Sequence, residues 1–77
     1  MTYSGMITAT DLAEVLDEEF GVWGFQHYII LLGFDPDHNY TYDDLETFLC
    51  DFNDECQVGM DYSDINEALD IAFGRYG

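Results

Sequence analysis

Only one residue of this chain, Arg75, carries a permanent positive charge, against seventeen Asp and Glu. That ratio limits the fold before any pattern is considered. A buried carboxylate needs a partner to offset its lost hydration, and one cation cannot serve seventeen acids. The acids must therefore stand at the surface, and each regular element must keep an acidic face towards water. A formal net charge of −16 on 77 residues also opposes compaction through self-repulsion. A chain of this length buries only roughly 60% of its unfolded surface. The apolar part must then pack densely, and six Phe, six Tyr and one Trp supply the means. Phe20, Phe25, Phe34, Phe48, Phe52 and Phe73 all sit in apolar runs, so we expect one domain, 1–77, with an aromatic-rich core. Disordered acidic segments lack such residues.

Three segments share a helix-start grammar. In "ITATDLAEVLDEEF" (7–20), "YTYDDLETFLCDF" (40–52) and "MDYSDINEALDIAF" (60–73), a Thr or Asp is followed three places later by Asp: Thr8 with Asp11, Thr41 with Asp44, Asp61 with Asp64. This is a capping box in its Asp form. The residue before each cap is apolar (Ile7, Tyr40, Met60), as is the fourth after it (Leu12, Leu45, Ile65), which makes a hydrophobic staple each time. At 100° per residue, Leu12, Leu16 and Phe20 lie opposite Asp11, Glu14 and Glu18. Leu45, Phe48, Leu49 and Phe52 oppose Asp43, Glu46 and Cys50, and Ile65, Ala68, Leu69, Ala72 and Phe73 oppose Asp64, Glu67 and Asp70.

The segment "GVWGFQHYIILLGF" (21–34) has no acid and is apolar nearly all round. Such an element is usually buried centrally. The expected fold is all-α: a compact four-helix domain whose apolar second helix, about 22–32, is sandwiched by the other three, with a short strand at 28–32 as the alternative. Trp23 can be core or interface, and both a monomer and a homodimer are compatible with the sequence. The opening "MTYSGMITATD" has neither a basic start nor an apolar block, and the longest apolar run, 28–34, falls short of the ~20 residues of a membrane span. Two cysteines, Cys50 and Cys56, are too few for a disulfide framework. These features point to a soluble protein of a reducing compartment, the cytoplasm.

One window invites a metal. In "DPDHNYTYDDLE", Asp35, Asp37, Asn39, Asp43 and Glu46 occupy positions 1, 3, 5, 9 and 12, where a calcium loop of the EF-hand type, which the window resembles, needs oxygen ligands. Its sixth position should be Gly, for a sharp turn, and is Tyr40. The apolar phase Leu45, Phe48, Leu49 also turns the Glu46 carboxylate the wrong way. The staple accounts for Tyr40 and Leu45 without metal. The expectation is no metal, with an EF-hand-like calcium-binding, partner-binding module as the alternative.

Other chemistry finds little support. His27, His38, Cys50 and Cys56 lack the short spacing of zinc motifs. We read the thiols as small buried residues and His27 as a hydrogen-bonded core histidine. Neither Ser4 nor Ser63 stands in the Asp-Ser-Leu that carries the prosthetic arm of acyl carrier proteins. A phosphate-cradling Gly loop and a basic surface are both missing, which argues against direct nucleic-acid binding. Enzyme activity and a cofactor are not expected.

Lines such as Asp11, Glu14, Glu18 or Asp64, Glu67, Asp70 set carboxylates about 5–6 Å apart along a helix. A protein built to grip phosphates with Lys and Arg would accept such a rigid polyanion as a decoy. In size, acidity, scarcity of basic residues and aromatic content, the whole chain resembles small phage and mobile-element inhibitors of bacterial defence, the anti-CRISPR proteins and anti-restriction DNA mimics. The resemblance is compositional and carries no motif. It implies an inhibitor that binds a basic nucleic-acid-binding protein or complex, a Cas effector or restriction enzyme, in an infected bacterium, with no membrane partner. The expected contacts are acids beside exposed tyrosines: Asp37, Asp43, Asp44 and Glu46 with Tyr42, then Asp51, Asp54 and Glu55, and then Asp61, Asp64, Glu67 and Asp70 with Tyr62. A halophilic acidic housekeeping domain is the remaining alternative.

Overall fold

The computed structural model describes residues 5–77. Its elements in chain order are β1 (Ile7–Thr8), α1 (Ala9–Phe20), α2 (Phe25–Leu31), β2 (Asn39–Tyr40), α3 (Tyr42–Glu55) and α4 (Tyr62–Tyr76). The three capped helices start where the capping grammar places them. Thr8 Oγ1 accepts from Asp11 N at 3.0 Å while Thr8 N donates to Asp11 Oδ2 at 3.2 Å, a complete capping box. Thr41 accepts from Asp44 N at 3.2 Å and Asp61 from Asp64 N at 2.9 Å. All six staple residues are buried.

β1 and β2 pair antiparallel, Ile7 with Tyr40 and Thr8 with Asn39. The partners Ile7 and Tyr40 are the staple residues of α1 and α3. The ladder thus ties two helix starts together at the residues that already aim them. Thr10 N, an orphan donor of the first turn of α1, is satisfied by Pro36 O at 3.0 Å.

The helices pack in a cycle: α1 on α4, α4 on α3, α3 on α2 and α2 on α1. The core combines Leu12, Val15, Leu16, Ile29, Leu45, Leu49 and Leu69 with Phe25 and Phe73, all fully or almost fully buried. It is therefore more aliphatic than the composition suggests. Phe20 and Phe48 are half-buried, and Phe34 is exposed and rests on Phe48 with ring centroids 5.0 Å apart.

The acid-free segment corrects three expectations. It is helical over 25–31, so there is no strand at 28–32. α2 is not central either: only Phe25 and Ile29 are buried, while Ile30, Leu31 and Leu32 face out and Trp23 is 81% exposed. Seven helical residues in a 77-residue domain have neighbours enough to cover one face only. His27, on the outer side, is exposed and not a core histidine.

The connection from α3 to α4 is held by Asn53. Its amide donates to Met60 O and accepts from Met60 N, each at 2.8 Å. Its own carbonyl accepts from Val58 N at 3.1 Å, closing a Schellman turn with Gln57 at φ 50°. No helix among the described residues is long and apolar enough to cross a membrane.

Candidate functional site: an anionic face on α3 and α4

None of the seventeen carboxylates is buried, and most are exposed. Their compensation is uneven. Arg75, in the last turn of α4, reaches Glu18 Oε1 at 2.7 Å and Glu19 Oε2 at 3.6 Å at the end of α1. A cation there suits the negative end of α4 and relieves two acids at the negative end of α1. The one basic residue is thereby committed to the α1/α4 side.

The α3/α4 side has no such relief. Along α3, Glu46, Cys50 and Asp54 follow at four-residue steps and face Tyr62 across a shallow groove with Met60 and Ile65. Two tyrosine hydroxyls cross the seam between the antiparallel helices. Tyr62 donates to Glu46 Oε2 at 3.1 Å, and Tyr42 lies 3.3 Å from Asp70 Oδ1 and 3.4 Å from Asn66 Oδ1. The bond to Glu46, then its charge, hold the Tyr62 phenol above its ordinary pKa. Burial, followed by Glu46, Asp54 and Asp51, pushes the Cys50 thiol up, so it stays protonated at neutral pH.

Of the expected contact residues, Asp43, Asp44, Asp51, Asp54, Glu55, Asp61, Glu67 and Asp70 are exposed, Glu46 and Asp64 are half-buried, and Tyr62 is 63% exposed. Two depart from expectation. Tyr42 is half-buried, its ring 5.3 Å from Phe73, because a tyrosine in the first turn of α3 meets the inward face of α4. Asp37 lies elsewhere, accepting from Thr10 Oγ1 at 2.9 Å beside α1, with Gln26 bonded to that same hydroxyl.

The twelve-residue window is divided among other tasks. Asp35 Oδ1 accepts from Asp37 N at 2.9 Å, and the Asp35 carbonyl accepts from the buried Tyr40 hydroxyl at 2.7 Å. Asp37 is thus turned to α1 and Glu46 to α4, and no three His, Cys, Asp or Glu among the described residues come together as a metal site. His38 rests on Tyr40, His27 lines the outer side of α2, and Cys56 caps α3 in an exposed position rather than the buried one expected of it. Ser63 is exposed in the first turn of α4, and Ser4 lies outside the described residues.

The feature that sequence reading did not assign is the outer face of α2. Trp23, His27 and Leu31, with Phe52 and Val58, line a shallow groove of about 290 Å³, and a second of about 280 Å³ runs between Trp23 and α1. Its signal was present, since the only Trp stands in the longest acid-free stretch. Comparison with protein-family models, curated proteins and solved structures finds no match for this chain.

Proposed function

We propose that this protein is a non-enzymatic inhibitor that mimics nucleic-acid charge and occupies the Lys- and Arg-rich surface of a bacterial defence nuclease or CRISPR surveillance complex. The observation that carries this reading is where the uncompensated acids stand. Asp54 and Glu55 lie in the last turn of α3, at the negative end of the helix dipole, with no basic residue in that turn. Anions there cost about 0.3–1 kcal/mol each. Carboxylates kept where they lower stability fit a surface selected for a partner. The crossed tyrosines support the same reading, because they hold Glu46 and Asp70 in fixed places, and a pre-ordered anion loses less entropy on meeting an arginine. Such a protein acts inside the bacterial cell that houses its target.

The test uses the full chain as bait in bacterial lysate, with duplex DNA as competitor. A nucleic-acid-binding complex captured by the chain and released by DNA is the expected result. The reversal Asp43→Lys, Asp44→Lys, Glu46→Lys should abolish capture while leaving the helical spectrum intact. Capture that ignores both DNA and the reversal would refute the decoy reading.

A further inference from the structure

The surface of α2 is unlike the rest of the molecule. Trp23, Ile30, Leu31 and Leu32 are 81%, 52%, 70% and 44% exposed, and no acid occurs from 21 to 34. Together they offer on the order of several hundred Å² of apolar surface, a size that marks interaction sites on monomers. The strip is bounded on both sides by carboxylates. Glu14 and Asp17 of α1 line the groove that ends at Trp23. On the other side, Phe52 and Cys56 at the end of α3 line the groove beside Tyr28, and their chain neighbours Asp51 and Glu55 are exposed along that edge.

An apolar strip between two acidic ridges selects its occupant. We infer that the outer face of α2 docks a protein segment in helical form whose apolar stripe, seated on Trp23 and Leu31, is flanked on both sides by Lys or Arg. A second copy of this chain fits poorly, because each copy carries −16 and would bring its own acidic ridges to the contact. The occupant's flanking cations meet Glu14 and Asp17 on one side and Asp51 and Glu55 on the other. The apolar strip lies apart from the crossed tyrosines of the α3/α4 seam, although Asp51 and Glu55 border both surfaces, and the variants that test it leave those two acids unchanged.

The probe is an eighteen-residue amphipathic peptide with Leu at helical spacing and Lys along both flanks. Its comparators are a scrambled peptide of the same composition and a version with Glu in place of Lys. Trp23, the only tryptophan, reports docking by a blue shift of its emission. The Lys-flanked helix should bind at least about tenfold more tightly than the scrambled peptide, and Leu31→Asp should remove that advantage, as expected for one lost apolar anchor. Glu14→Lys with Asp17→Lys leaves the apolar strip intact. It should weaken the Lys-flanked helix and admit the Glu-flanked one. Equal binding of the scrambled peptide would overturn the inference, leaving general charge attraction only. Binding of the Glu-flanked helix to the unaltered chain would do so as well. So would a concentration-dependent dimer, seen by sedimentation, that Leu31→Asp converts to monomer, since the occupant would then be a second copy. None of these variants touches Asp43, Asp44 or Glu46, so failure here is separable from failure of the decoy reading.

Discussion

Replacing Asn53 tests how the α3 to α4 connection is held. Its side chain makes two hydrogen bonds of 2.8 Å to the backbone of the buried Met60, one in each direction. Asn53→Ala removes both and leaves a donor and an acceptor to find water at the edge of the core. At about 1 kcal/mol net per bond, and more where a group stays unpaired, the cost is about 2–3 kcal/mol. For a domain of this size that lowers Tm by roughly 10–20 °C.

Asn53→Asp makes the prediction sharper. The carboxylate still accepts from Met60 N but sets an oxygen against Met60 O, where the amide had donated. Only the protonated acid restores both bonds. The folded state therefore raises the pKa of the introduced carboxyl above the ordinary value of about 3.9. The stability tied to that proton is present below the unfolded pKa and is lost as pH rises through the folded one. Thermal melts followed by circular dichroism should place N53D near the unaltered chain at pH 3.5 and near N53A at pH 7. The measured quantity is the difference from the unaltered chain at each pH, which cancels the response of the other acids. A cost below about 0.5 kcal/mol for N53A, or an N53D deficit that does not change with pH, would refute the clamp.

Thr8→Ala, which breaks the complete capping box, should cost about 1 kcal/mol in a denaturant titration. Glu55→Lys should instead raise stability by about 0.3–1 kcal/mol, because it places a cation at the negative end of α3, and should weaken partner capture if the acidic face binds. Burial, followed by nearby carboxylates, raises the Tyr28 and Tyr40 phenols above their ordinary value of 10.0. Their contribution is present below that value and lost as pH climbs through the folded pKa. Alkaline unfolding should then coincide with tyrosine ionisation, read from absorbance at 295 nm beside the helical signal.

Helix starts were legible because capping is local chemistry. Thr8, Thr41 and Asp61 each meet their partner three residues on, so nothing distant is needed to read them. The buried faces of α1, α3 and α4 followed for the same reason, since acids mark the outer side. α2 was misjudged because its segment lacks that mark, and a helix without acids does not say which side is covered. Only the packing of Phe25 and Ile29 against α1 and α3 decides it. The β1/β2 pair was invisible, as two residues per strand carry no alternation. In the candidate site, exposure of the acids could be read from the charge ratio. The crossing of Tyr62 onto Glu46, sixteen residues away, depends on the antiparallel seam of α3 and α4.

The cyclic packing has a consequence for how the chain reaches its fold. α1 takes α4, the helix farthest from it along the chain, as a main partner, and Arg75 joins Glu18 across 57 positions. The apolar face of α1 that carries Leu12 and Leu16 therefore stays without its full cover until the residues up to Phe73 have left the ribosome. Closing so long a loop is entropically costly and must precede the contacts that reward it. The folding transition is thus expected to be all-or-none and to wait for α4, and nascent chains that stop before α4 should remain open to proteolysis.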